Sequence, residues 1–108
     1  MKTFNYKCKV PKFKYYFRHP VEQILFFDIE TTGLSPKASS LYMIGVMFYN
    51  KEDNNWHLIQ FFADNYKSEA DMINSFLDIL ENYNYLYHFN GKTFDIPYIL
   101  NKCDKHGI

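Results

Sequence analysis

The 108 residues suffice for about one small domain, and an apolar content of 47% can form a core, so a disordered chain is excluded. No apolar run approaches a membrane span, no secretory leader is recognisable, and Cys8 and Cys103 are too few for a disulfide framework. We therefore expect a cytoplasmic protein without membrane contact. Twelve basic and twelve acidic residues give a formal net charge of zero.

The first twenty residues are basic, although the whole chain is neutral. Residues 1–20 contain six Lys or Arg and no Asp or Glu, so residues 21–108 carry all the acidic side chains. A basic arm rich in Phe and Tyr on an acidic body is typical of nucleic-acid-binding proteins. The same lysines would also suit a solvated edge strand, where charge discourages aggregation. We therefore divide the chain into a basic N-terminal arm or edge strand (1–20) and a domain body (21–108).

The chain is also unusually rich in aromatic residues, with 11 Phe, 10 Tyr and one Trp. A biased base composition of the genome would explain this content without any function. Alternatively, some of these rings are platforms on which nucleic-acid bases stack.

The first half of the domain body has strand patterns. Ile24–Ile29, Leu41–Tyr49 and Trp56–Phe62 are short, β-prone apolar runs separated by turn residues. Short polar connections favour pairing between neighbours in the chain. These runs therefore predict three strands in an antiparallel meander.

The second half alternates helix and strand patterns. The run Ser68-Glu69-Ala70-Asp71 has the spacing of a capping box and predicts a helix over about 69–81. Tyr85–Phe89 predicts a fourth strand. Thr93 is the expected N-cap of a second helix that reaches about residue 105, with Pro97 in its first turn. The order βββαβα predicts an α/β fold with a mixed sheet.

Two acidic residues interrupt the apolar pattern of the first strand. Asp28 and Glu30 are two positions apart at its end, so their side chains share one face. Like charges at the rim of a buried strand repel unless a cation lies between them, and carboxylates are ligands that Mg²⁺ and Mn²⁺ prefer. Solvated strand-end acids paired with lysines are the alternative. Asp95 would join this pair if the fourth strand lay parallel beside the first, because loops at the carboxyl ends of strands form the crevice of such sheets.

Two motifs at these positions resemble those of a known family. Phe27–Ser35, which contains Asp-Ile-Glu-Thr-Thr-Gly-Leu, and Phe89–Pro97, which contains Asn-Gly-Lys-Thr-Phe-Asp, are similar to the first two motifs of the DEDD superfamily of 3′-5′ exonucleases. These enzymes have the ribonuclease H-like fold. The residues of these two motifs are most similar to those of a predicted bacterial branch of the superfamily, whose members often carry tetratricopeptide repeats. The resemblance implies hydrolysis of phosphodiester bonds at the 3′ end of DNA or RNA with two Mg²⁺ or Mn²⁺ ions.

The resemblance also implies a role for each matching residue. Asp28 would bridge the two ions, Glu30 would bind the ion that activates water, and Asp95 would bind the ion nearer the leaving group. Asn90 and Phe94 would line the crevice wall. The full set of implied substrate contacts is Thr31, Thr32, Gly33, Leu34, Asn90 and Phe94.

One motif of the family is not found in these residues. The third motif supplies a fourth carboxylate and a Tyr or His, and Asp104 and His106 are poor substitutes because they fall far along the second helix. The resemblance therefore implies that these residues form about two-thirds of a catalytic domain, without its C-terminal strand and helix. We expect little nuclease activity from this chain. The uncovered fourth strand would allow self-association.

A non-catalytic ribonuclease H-like module that binds nucleic acid or protein is the alternative function.

Overall fold

The computed structural model describes residues 1–9, 17–88 and 94–108, which form a five-stranded sheet with two α-helices. In chain order the elements are β1 (Lys2–Lys9), a short 3₁₀-helix (Val21–Gln23), β2 (Ile24–Thr31), β3 (Leu41–Asn50), β4 (Asn55–Phe62), α1 (Tyr66–Leu80), β5 (Tyr85–His88) and α2 (Ile96–His106). The strands lie in the order β1-β4-β3-β2-β5. No helix in the described ranges is long and apolar enough to cross a membrane.

The sheet is mixed, as predicted. β2, β3 and β4 form the antiparallel meander, β1 pairs with β4 antiparallel, and β5 pairs with β2 in parallel. Each strand of the meander agrees with its predicted bounds to within two residues. The predicted α/β fold class is therefore confirmed.

Both helices pack against the same face of the sheet. Leu25, Phe27 and Ile29 of β2 are buried there against α1 and α2, together with neighbouring core residues of β3 and β4. The alternation of side chains along a strand places Asp28 and Glu30 on the opposite face, where both are exposed. We call this second face the carboxylate face.

Residues Lys2–Lys9 of the predicted basic arm form β1, the edge strand next to β4. All eight residues of this strand are exposed. The lysines Lys12 and Lys14 of the same arm lie outside the described residues.

The start of α1 differs from the predicted one. The capping box at Ser68 is wrong, because the helix begins at Tyr66 and Asn65 is its N-cap, with its side chain accepting a hydrogen bond of 2.8 Å from the Ser68 N–H. Ser68 and Glu69 are buried inside the first turn instead. Glu69 faces the core because its carboxylate accepts a hydrogen bond of 2.8 Å from the backbone N–H of Leu41.

The second helix begins later than predicted. α2 starts at Ile96 with Asp95 in the N-cap position and Pro97 in its first turn. It ends at Gly107, whose φ of 71° is a left-handed conformation that glycine adopts readily. The predicted N-cap, Thr93, lies outside the described residues, as does Phe89 at the end of the fourth predicted strand.

A buried ionic network joins the two helices. Glu69 of α1 contacts two side chains of α2: its Oε1 lies 2.6 Å from His106 Nε2 and 3.4 Å from Lys102 Nζ. Lys102 is 1% exposed and also donates a hydrogen bond of 2.6 Å to the carbonyl of Ser39. The network therefore holds α2 against both α1 and the loop that follows β2.

The network also sets the ionisation of Glu69. Burial is the largest cause and raises the pKa of this carboxyl, but hydrogen bonds from His106 and Leu41 and the charge of Lys102 together outweigh it. The pKa of Glu69 is therefore below its ordinary value of 4.5. A carboxyl with a lowered pKa stabilises the fold above its unfolded pKa, and this contribution is lost as the pH falls through the folded pKa.

We predict that Glu69→Gln lowers the free energy of unfolding at pH 7 by about 3–5 kcal/mol, because it leaves the buried Lys102 ammonium without a counter-charge. The difference from wild type should begin to shrink as the pH falls below the ordinary pKa of 4.5, where Glu69 of the unfolded chain becomes protonated, and should be lost as the pH falls through the lower pKa of folded Glu69. Urea unfolding followed by circular dichroism at pH 7 and pH 3 measures both effects. Glu81→Gln, an exposed change at the end of α1, should change stability by less than about 0.5 kcal/mol. A difference that does not depend on pH would contradict this assignment.

Candidate active site

The parallel pairing of β5 with β2 determines which residues meet at one edge of the sheet. Phe27 of β2 lies opposite His88 of β5, so the carboxyl ends of both strands lie side by side. Asp28 and Glu30 stand at the end of β2, and Asp95 stands at the start of the helix that follows β5. The structure therefore meets the condition under which Asp95 is expected to join the acidic pair of β2.

Asp95 is the buried member of the three carboxylates, with 4% of its surface exposed. It accepts a hydrogen bond from the backbone of Ile29, between the two acidic residues of β2. Its Oδ2 is buried and has no hydrogen-bond partner among the described residues. A buried carboxylate oxygen without a donor is costly, so this atom requires an electropositive partner.

Several charges act on Asp95. Burial is the largest cause that raises its pKa, and the charge of Asp28 raises it further. The hydrogen bond from Ile29 and the charge of His88 lower this pKa, while Glu30 adds a smaller increase. The three carboxylates therefore interact electrostatically, and the balance disfavours ionisation of Asp95.

These carboxylates fit a hard divalent cation by their chemistry. All three offer oxygen ligands, the charges of Asp28 and Glu30 act on Asp95, and Asp95 Oδ2 has no hydrogen-bond partner among residues 1–9, 17–88 and 94–108. Across residues 1–9, 17–88 and 94–108, however, no three His, Cys, Asp or Glu side chains form a ready-made metal-binding group. The three predicted ligands therefore interact electrostatically, but they do not form a complete coordination site among the described residues.

The loop after β2 is held by its own hydrogen bonds. Thr31 Oγ1 donates to the carbonyl of Gly33 at 2.7 Å, and Thr32 and Ser40 are joined by hydrogen bonds of 2.8 and 2.9 Å. A side chain at Gly33 would lie 3.2 Å from the Cβ of Ser39, so the loop closes tightly there. Leu34, at the tip, is 85% exposed and free to contact a ligand.

The first turn of α2 is connected to this loop. Phe94 is partly buried with its ring 5.5 Å from that of Tyr98, and the Tyr98 hydroxyl lies 2.7 Å from Ser39 Oγ. Lys102 reaches the carbonyl of the same serine. Of the predicted substrate contacts, Thr31–Leu34 directly follow Glu30 in the chain and Phe94 directly precedes Asp95, whereas Asn90 lies outside the described residues.

The sequence alone did not single out His88 as part of this site. It is exposed at the end of β5, its ring lies 6.0 Å from that of Phe27, and its charge acts on Asp95. Its position at the carboxyl end of the strand beside β2 was the available signal. Asp104 and His106 lie near the other end of α2, and His106 is engaged with Glu69.

Two viral proteins are similar to parts of this chain. It is 38% identical over 47 residues to a DNA polymerase of Ostreid herpesvirus 1 (isolate France), a match that covers 42% of this chain and 2% of the polymerase. It is 36% identical over 55 residues to a DNA polymerase of Bombyx mori nuclear polyhedrosis virus, which covers 49% of this chain and 5% of the polymerase. The chain therefore spans only a small fraction of the length of either polymerase.

A family model extends the comparison over most of the sequence. The model, RNase_H_2 of the RNase_H superfamily, matches residues 25–108. This range contains β2 to β5, both helices and all three carboxylates. With its mixed α/β sheet and this match, the chain belongs to the ribonuclease H superfamily.

Proposed function

We propose that this chain carries the metal-binding centre of a nuclease that hydrolyses phosphodiester bonds of DNA or RNA, as a 3′-5′ exonuclease of the DEDD type. The observation that carries the proposal is the electrostatic interaction of three carboxylates at one sheet edge, one of which has a buried oxygen that receives no hydrogen bond from the described residues. A scaffold that only binds a partner gains nothing from this repulsion. The superfamily and the two viral DNA polymerases support nucleic acid as the substrate class.

In this proposal Asp28, Glu30 and Asp95 hold Mg²⁺ or Mn²⁺. Two such ions would supply an activated water and neutralise charge on the attacking and leaving oxygens of the phosphodiester. Ile29 orients Asp95 through its backbone hydrogen bond, so that the other carboxylate oxygen stays available. The exposed Leu34 and the backbone of Thr31–Gly33 would contact the terminal nucleotide.

The loop after β2 is positioned for that role by contacts with α2. Lys102 and Tyr98 of α2 both bind Ser39, which also donates a hydrogen bond of 3.2 Å to the carbonyl of Gly33. Pre-positioned loops reduce the entropy lost when a substrate binds. The same helix that presents Asp95 therefore also supports the loop that would face the nucleotide.

We predict that Mn²⁺ stabilises the wild-type chain and that Asp95→Asn removes this effect, because the substitution replaces a charged oxygen ligand with a neutral amide. At a cation concentration about ten times the Kd, the midpoint of thermal unfolding should rise by roughly 5 °C. Thermal unfolding and calorimetric titration with MnCl₂ measure the stabilisation and the Kd. Cation binding is the appropriate readout because the third motif of the family is not found in these residues.

Asp104→Asn is the matched control for this titration. It removes one carboxylate from the same helix at an exposed position and should bind Mn²⁺ like the wild type. If wild type, Asp95→Asn and Asp28→Asn all respond equally to Mn²⁺, the three carboxylates are not a cation site, and a non-catalytic binding module becomes the better description.

We predict a reversal of stability between cation-free and cation-loaded conditions. In EDTA, Asp95→Asn should unfold at a higher temperature than the wild type, because it removes a buried charge that repels Asp28 and still accepts the Ile29 hydrogen bond. The gain should be about 1 kcal/mol, because Asp28, the like charge that is relieved, is itself exposed and screened by solvent. In excess Mn²⁺ the wild type should become the more stable protein. A loss of stability of Asp95→Asn in EDTA would contradict this account.

A further inference from the structure

The edge strand β1 presents aromatic rings on the carboxylate face. Phe4 is 46% exposed and Tyr6 is 51% exposed, at two consecutive positions of this face of the strand. The ring of Phe4 packs edge-on against Phe62 with 5.7 Å between centroids, which holds it in place while nearly half of it stays accessible. Neither ring contributes to the hydrophobic core.

These rings lie in line with the candidate active site. The register pairs Phe4 with Gln60, Gln60 with Gly45, and Gly45 with Asp28, so the four residues form one row across the sheet. Paired residues of neighbouring strands point to the same face. Three interstrand steps of about 4.8 Å separate the two ends of the row by roughly 14 Å.

A shallow groove occupies the middle of this row. Its volume is about 230 Å³, and its lining includes Asp28, Gly45 and Gln60. A Cβ at Gly45 would lie 3.5 Å from the sulfur of Met43, which is an ordinary contact, so the glycine is not needed to avoid a clash. It lowers the floor of the groove between two strands that carry longer side chains.

The charge of β1 identifies the kind of partner. The strand contains Lys2, Lys7 and Lys9 and no acidic residue. Lys2 lies on the carboxylate face with Phe4 and Tyr6, whereas side-chain alternation directs Lys7 and Lys9 to the other face of the same edge. The side chain of Lys7 stays 65% exposed although it lies 3.6 Å from Asp53. A second copy that paired through this edge would place lysines close to lysines, which disfavours association. A polyanion is attracted by the same charges.

We propose that β1 and the groove beside Asp28 bind single-stranded nucleic acid upstream of the nucleotide at the carboxylates. Bases stack on Phe4 and Tyr6, the amide of Gln60 faces the strand in the groove, and Lys2 neutralises a phosphate. A single strand is required, because its bases are free to stack on exposed rings whereas those of a duplex are not. This inference rests on the proposed function, since the active site defines the direction of the strand.

The test measures binding of a fluorescently labelled 12-nucleotide poly-dT and poly-U to the full chain by anisotropy, in EDTA so that no cation contributes. We expect Phe4→Ala/Tyr6→Ala to weaken binding by at least tenfold, the usual scale for loss of base stacking. Tyr66→Ala, which removes a ring that is 56% exposed on α1, is the matched control and should bind like the wild type.

The lysine contribution is tested by salt dependence. Lys2→Gln should reduce the slope of log K against log salt by about 0.7, the value for one phosphate contact on a single strand. Lys67→Gln, an exposed change on α1, should leave the slope unchanged. If Phe4→Ala/Tyr6→Ala does not fold, Phe4→Trp/Tyr6→Trp keeps both rings and should bind at least as tightly as the wild type.

Four outcomes would overturn the inference: no measurable binding of either oligonucleotide, equal binding by wild type and the alanine variant, an equal loss in Tyr66→Ala, or an unchanged salt slope in Lys2→Gln. A dimer in sedimentation velocity that the alanine variant abolishes would also overturn it and assign this surface to a second copy of the chain. These measurements contain no divalent cation, whereas the Mn²⁺ titration contains no nucleic acid. Failure of this inference is therefore distinguishable from failure of the proposed function.

Discussion

The parallel pairing of β5 with β2 is the constraint on which the candidate site depends. The other strand pairs of the described sheet are antiparallel, so the carboxyl end of one strand lies beside the amino end of its neighbour. The parallel pair β2 and β5 instead brings two carboxyl ends to the same edge. Asp28 and Glu30 lie at the end of β2, and Asp95 lies at the start of the helix after β5. In an antiparallel arrangement, the start of α2 would lie at the opposite end of β2, and the three carboxylates would not interact.

The position of α2 depends in turn on a second, buried interaction. Glu69, Lys102 and His106 connect the two helices, and Lys102 extends the contact to Ser39 in the loop after β2. Buried charges are costly unless they are paired and hydrogen-bonded, so such a network tolerates few alternative positions of the helix. The helix that supplies Asp95 is thereby oriented by groups at its other end, and the loop with the exposed Leu34 is oriented by the same helix.

The two faces of the sheet differ in composition because α1 and α2 both pack against the same one. The helix-covered face holds Leu25, Phe27 and Ile29, while the carboxylate face holds the acidic residues, the groove at Gly45 and the rings of β1. Negative charge at one end of this face and Lys2 with the rings of Phe4 and Tyr6 at the other are the features on which the proposed single-strand binding depends. Of the basic arm, Lys2, Phe4 and Tyr6 lie on this face.

The amino-acid sequence by itself determined the strands of the meander, the two helices and the side of β2 on which Asp28 and Glu30 lie, because period-two and helical patterns are local properties of the chain. It did not determine the start of α1 at Tyr66, since the inward turn of Glu69 depends on Leu41 and His106, which are distant in sequence. Nor did it show that a buried oxygen of Asp95 receives no hydrogen bond from the described residues, that the charge of His88 acts on Asp95, or that Phe4 shares a row with Asp28. Those features arise from strand order and register, and only the tertiary structure decided them, because each depends on which distant segments pack side by side.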